Sequence, residues 1–286
     1  MDNKKKAVFL MLLSSLAFAF MGAFVKLAGD LPTFQKTFFR NLIAVIITGF
    51  IIYRKKENFF GKRENLKFLI IRSALGTLGM ISFFYSLDHL LLADASMINK
   101  LNPFFVSIFA YFLLKENFSK IQIPTLIIAF LGALMIIKPQ FNFDILPAII
   151  GLFGAIFSAG AYTTVRYLGN KESFYTIVFF FSFFSSVTTL PVMIIQYKPM
   201  TLFQILIMLL VGISAVIGQF TLTISYKLAP AGEISILNYT NVLFSGIIGY
   251  FMFDSIPDIL SLGGYSLIII AALIIYFHTN KKNKKI

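Results

Sequence analysis

A chain of 286 residues that is 58% hydrophobic and 13% charged, with a mean hydropathy of +0.85, carries more apolar surface than a water-soluble fold can bury. Its net charge of +13 would suit nucleic acid in a soluble protein, but the basic residues stand in short stretches between apolar runs, which fits orientation in a bilayer and no nucleic-acid partner. With no cysteine and two histidines, His89 and His278, the sequence excludes disulfides, thiolate metal centres and cysteine nucleophiles, and no metal or cofactor is expected.

A helical crossing of a bilayer needs about 20 predominantly apolar residues. Apolar runs bounded by charge or proline predict about ten of them: residues 7–29, 34–53, 68–87, 91–114 and 121–137, then 145–167, 174–195, 203–226, 231–253 and 259–277. The first run follows Lys4, Lys5 and Lys6 but is too long for a signal peptide, and it has a counterpart later in the chain. Basic residues gather on one side of the predicted membrane: the N-terminal lysines, the stretch from Arg54 to Lys67 with Arg72 beyond it, Lys115, Lys120, Arg166, Lys171, Lys227 and the C-terminal lysines. Asp30, Asp88, Asp144, Asp254 and Asp258 fall on the other. The excess of Lys and Arg predicts cytoplasmic N- and C-termini.

The two halves echo one another. SSLAFAFMGAFVKLAGD (14–30) aligns with GAIFSAGAYTTVRYLGN (154–170), so that Ala19 meets Ala159, Val25 meets Val165, Lys26 meets Arg166 and Gly29 meets Gly169. NKLNPFFVSIFAYFLLKE (99–116) aligns with LNYTNVLFSGIIGYFMFD (237–254), pairing Ser107 with Ser245 and Glu116 with Asp254. Five crossings are an odd number, so the second half enters the membrane inverted. Inverted repeats are a recurring architecture of secondary transporters, with substrate near the midplane between the repeats.

The ten crossings, the FFRNL run (38–42), NPFFVSIFAYFLLKE (102–116) and its counterpart YTNVLFSGIIGYFMFDSIPD (239–258) resemble the drug/metabolite transporter superfamily of EamA type over nearly the whole chain. Asp254 stands where the family repeat more often ends in glutamate, and Asn241 where it favours proline, as at Pro103. The resemblance implies an all-α integral membrane fold of two inverted five-helix repeats, residues 7–138 and 145–277. It further implies a multi-pass bacterial inner-membrane carrier, often an exporter, for a small-molecule substrate such as an amino acid, a nucleoside or another metabolite.

A charge inside a bilayer is costly and is expected to face a cavity or a partner. Lys100 lies near mid-depth of the fourth crossing, with Ser96, Asn99, Pro103 and Ser107 at helical spacing on one face. Pro103 also frees a backbone carbonyl. Asn238, Asn241 and Ser245 occupy the equivalent positions of the ninth crossing. These faces read either as a binding surface or as interhelical hydrogen bonds that hold the bundle. Arg40 reads equally as a fork of donors for a carboxylate or phosphate, or as a structural pair with Asp94 or a cation reaching toward the interface. Gln219, Tyr162 and Tyr239 are further binding candidates, and Phe18, Phe83 and Tyr85 are candidate aromatic walls. Lys26 and Arg166, near opposite faces, either snorkel or gate, and Glu233 is the candidate for proton coupling.

The reading is therefore a carrier for a small polar, anionic or amphipathic metabolite, working by alternating access as an exporter or exchanger, monomer or homodimer, in contact with lipid. A lipid scramblase or a channel is the alternative. An enzyme is not expected, because no H-E-x-x-H or G-x-S-x-G motif and no other convergent catalytic set occurs.

Overall fold

The computed structural model describes residues 3–90, 92–115, 121–137, 146–230, 234–254 and 258–283, and among them every regular element is helical. In the first half these are α1 (Asn3–Leu27), α2 (Thr33–Lys55), α3 (Leu66–His89), α4 (Leu92–Asn99), α5 (Asn102–Leu114) and α6 (Gln122–Ile137). The second half supplies α7 (Leu146–Leu168), α8 (Phe174–Ile195), α9 (Leu202–Leu228), α10 (Thr240–Phe253) and α11 (Ile259–Asn283). Among the described residues, six helices (α1, α2, α3, α7, α8 and α9) are long and apolar enough to span a membrane, α3 together with the short turn before it.

The helix ends follow from local chemistry. Ser173 caps α8 by accepting from the Tyr175 N–H, and Thr201 with Gln204 forms a reciprocal capping box on α9. Gly29 and Gly169, aligned by the repeat, both hold left-handed φ angles (64° and 41°) just past α1 and α7, a conformation that a side chain disfavours.

The fourth and ninth crossings depart from continuous helices. The fourth is broken between α4 and α5 at Lys100 and Leu101, and the ninth passes from a 3-10 turn, Ser235–Tyr239, into α10. The two breaks fall at matching points of the repeat. Discontinuous helices near the midplane place irregular backbone where a cavity can use it.

Helix pairing reveals the repeat symmetry. α1 packs along α9, α3 along α7, α2 against α8, and α6 against α11. Exchanging the halves turns the first-with-eighth crossing pair into the sixth-with-third, and returns the other two pairs to themselves. The halves are thus interleaved, and the long seams join one half to the other. Hydroxyls stitch the α1–α9 seam: Ser14 Oγ donates to the Gly218 carbonyl (2.9 Å) and Ser225 Oγ to that of Ala7 (2.7 Å).

Each face carries a clamp between opposite halves. On the face of the N-terminus, the buried Glu172 carboxylate accepts from the Lys62 N–H (2.9 Å) and from Asn65 Nδ2 (2.7 Å), holding the α2–α3 loop. On the other face, Gln35 donates to the Lys198 carbonyl (2.8 Å) and accepts from its N–H (2.9 Å), holding the α8–α9 loop. Glu172→Ala strands the buried Asn65 Nδ2, worth about 1–3 kcal/mol when left unmet, and frees the Lys62 N–H to water. In a Leu69→Cys background, in a chain with no other cysteine, maleimide labelling is expected to accelerate about tenfold on adding Glu172→Ala. Equal labelling rates would show that the carboxylate holds nothing.

Candidate functional site

The interleaved halves enclose a central cavity. α1 contributes Phe18 and Met21, α2 Arg40, α3 Arg72, Gly76, Gly79, Met80 and Phe83, and the fourth-crossing break Asn99 and Lys100. The second half contributes Ser158, Ala161 and Tyr162 from α7, Phe181 from α8, Gln219 from α9, and Asn238 and Asn241 from the ninth-crossing break. The cavity volume is about 60 Å³, room for a few waters.

Three cations meet in this cavity, and all are buried: Arg40 and Arg72 at 1% exposure and Lys100 at 5%. None of the residues described as lining it is a carboxylate. Arg72 lies over the Phe181 ring, 3.9 Å from its centroid, and its Nη2 donates to Gln219 Oε1 (2.9 Å). Arg40 approaches the same ring at 5.5 Å and donates through Nη1 to Asn41 Oδ1. Nε of Arg40, and Nε and Nη1 of Arg72, are buried with no hydrogen-bond partner. Gly76 makes the stacking possible, since a Cβ there would come within 2.7 Å of Arg72 Nη1 and 2.9 Å of the Phe181 ring.

Uncompensated burial of one ion costs several kcal/mol. Buried basic groups inside a membrane are rare, and they commonly face a cavity or a partner, as these three do. On the side toward the N-terminal face, Tyr162 stacks on Tyr226 (5.4 Å between centroids), and Asn238 Nδ2 donates to the Tyr226 hydroxyl (3.3 Å). Asn241 Nδ2 donates to the Ser15 carbonyl (2.6 Å), tying the ninth-crossing break to α1.

Of the residues singled out in the sequence, Arg40, Asn99, Lys100, Tyr162, Gln219, Asn238 and Asn241 come together in the cavity, with Phe18 and Phe83 in its wall. Ser96 and Pro103 are buried but lie outside the lining. Tyr239 is turned away into an apolar cluster with Leu101, Leu126, Ala155 and Tyr265. Its register explains this. Asn238 and Asn241 stand three apart across the junction of the 3-10 turn with α10 and so share a face, whereas Tyr239, one position past Asn238, points elsewhere. Tyr85 stacks on His89 at 4.2 Å and lies outside the lining.

Lys26 donates to the Leu90 carbonyl beyond α3 (3.1 Å), and Arg166 to those of Tyr226 and Lys227 at the end of α9 (3.3 and 3.4 Å). Both contacts satisfy carbonyls at helix C-termini, at opposite faces and in repeat-equivalent positions. Glu233 lies outside the described residues, as does the Asp94 side chain.

Arg72 corrects the sequence reading, which counted it with the loop cations that orient the chain. It stands inside α3 and faces the cavity. The signal was available, since Arg72 falls within the apolar run 68–87, where a charge needs a reason. Phe181, one of 35 phenylalanines, carried no such signal.

The EamA-like transporter family matches this sequence twice, over residues 5–138 and 145–277. The pseudopaline exporter CntI of Pseudomonas aeruginosa is 30% identical over 276 residues, 96% of this chain and of its own. An uncharacterized transporter of Helicobacter pylori is 30% identical over 94% of this chain and 93% of its own. Human solute carrier family 35 member G1 is 25% identical over 92% of this chain and 78% of its own. A solved crystal structure at 14% identity superposes with a TM-score of 0.80 over 97% of this chain and 99% of its own, a likeness that bears on fold alone. The family and these relatives are transporters rather than enzymes. Two matched repeats, interleaved around one polar cavity, lead to a single conclusion: the chain belongs to the EamA-like transporter family and moves a small molecule across a membrane.

Proposed function

We propose that the protein is a secondary transporter of the cytoplasmic membrane that exports, by alternating access, a small metabolite bearing at least one anionic group. The observation that carries this reading is the meeting of Arg40, Arg72 and Lys100 in one cavity whose described lining has no carboxylate. An anion there meets desolvated donors that water no longer competes for, which strengthens each contact. Alternating access draws support from the inverted repeats, from the paired breaks at mid-depth and from a separate clamp on each face. The excess of cytoplasmic Lys and Arg supports termini that face the cytoplasm. The relative named as an exporter supports outward movement. Lys26 and Arg166 serve as gates in this scheme through their helix-end contacts at opposite faces, and Glu233 is assigned coupling from its sequence position alone.

The test is ligand stabilisation followed by flux. Purified protein is heated with glutamate, citrate, sugar phosphates and nucleotides, each beside a neutral counterpart. Anions alone are expected to raise the melting temperature, and the best of them to show saturable, counterflow-stimulated flux in proteoliposomes. Equal stabilisation by neutral compounds would remove the anionic assignment. Flux that never saturates would favour a channel.

A further inference from the structure

Both arginines in the cavity are held in the same way, and the partners are chemically unusual. Guanidinium groups buried in proteins are commonly oriented by carboxylates, yet here each is held by a side-chain amide. Gln219 Oε1 accepts from Arg72, and Asn41 Oδ1 accepts from Arg40. Asn41 is itself fixed. Its Nδ2 donates to the Thr37 carbonyl (3.0 Å) and to Ser185 Oγ (2.8 Å), and lies 3.8 Å from Met80 Sδ, which leaves Oδ1 turned toward Arg40. An amide oxygen orients a guanidinium through one N–H and leaves its full charge and its other donors free. A carboxylate in the same place would cancel the charge and compete with any incoming anion. The Phe181 ring is the common support, attracting both cations through its face where they would otherwise repel.

We infer that Asn41 and Gln219 are positioning residues that aim Arg40 and Arg72, over Phe181, as two arms of one clamp for a substrate with at least two anionic groups, Lys100 completing the charge. This rests on the proposed anionic site and sharpens it. Asn41, within the FFRNL run, acts only through Arg40, since it lies outside the cavity lining.

The experiment measures binding of butyrate, succinate and citrate, which carry one, two and three carboxylates, to the purified full chain by calorimetry and thermal shift. Wild-type affinity is expected to rise along the series. Asn41→Asp and Gln219→Glu keep size and shape but place a negative charge beside each arginine, and each is expected to weaken citrate by about thirtyfold or more. Gln219→Glu does so with the melting temperature unchanged or higher, whereas Asn41→Asp also loses the donation to the Thr37 carbonyl and melts somewhat lower. A purely structural role predicts the opposite, a better-paired arginine with binding intact, and that result overturns the inference. So does butyrate bound as tightly as citrate. No binding of any carboxylate by the wild type would instead strike the anionic site itself. Should a charged variant fail to fold, Asn41→Ser and Gln219→Met loosen the tether without adding charge and are expected to weaken citrate about tenfold. Wild-type affinity in both would equally overturn the assignment.

Discussion

Arg72→Met is expected to lower transport by about a hundredfold or more while leaving the protein as stable as before, or more so. Stability and activity separate because the residue serves the two states differently. Arg72 is a buried cation with one neutral hydrogen bond and two unmet nitrogens, so that removing it relieves a desolvation cost of several kcal/mol. Methionine fills the same length and keeps a sulfur–aromatic contact with Phe181. With the proposed anion bound, the same side chain supplies charge-assisted hydrogen bonds, and deleting one partner of such a buried pair costs about 2–5 kcal/mol. Lys100→Met follows the same logic. The check pairs a melting curve with proteoliposome flux of the anion that best stabilises the wild type. A variant that melts early and still transports would make Arg72 a structural cation.

Gly79→Val is expected to have the largest effect on folding. A Cβ at Gly79 would stand 2.5 Å from Ser158 Oγ and 3.1 Å from both the Gly154 carbonyl oxygen and the Ser158 nitrogen. Facing it, a Cβ at Gly154 would stand 2.8 Å from the Ser82 Cβ and 3.2 Å from the Gly79 carbonyl. The α3 and α7 backbones touch here, in a seam that joins the two halves beside the cavity, and small residues are what permit such approach in a membrane. Side-chain atoms could yield, but the opposing backbone cannot. Overpacking of this kind costs about 1–3 kcal/mol and more where the obstacle is main chain. The yield of monodisperse protein and its melting temperature are the measurements. A wild-type melting temperature for Gly79→Val would mean that the helices sit farther apart than described.

Topology was legible in the sequence because the bilayer enforces it. Apolar runs, their lengths and the charges between them leave few alternatives, and the aligned Gly29 and Gly169 marked equivalent helix ends. The lining of the candidate site was legible where a polar group stood in the middle of an apolar run, as with Lys100, Asn238, Asn241 and Gln219. Three features were not. Arg72 stands close enough to the end of its helix to pass for a loop cation. The fourth crossing announces its break through Pro103, but the ninth has Asn241 there, and nothing in its composition marks the 3-10 turn that directs Tyr239 away. Phe181 gains its meaning only from the two guanidinium groups that converge on it from different helices, a relation that no local pattern contains.

The clamps on the two faces are equivalent in place but different in kind, one an ionisable carboxylate and the other an uncharged amide. Repeat symmetry therefore does not make the two closures energetically equal. Opening the Glu172 side breaks hydrogen bonds to a carboxylate and opening the Gln35 side breaks bonds between neutral amides, so in the proposed cycle the resting bias between inward- and outward-facing forms can be set at the membrane surface without altering a single group that would touch the cargo.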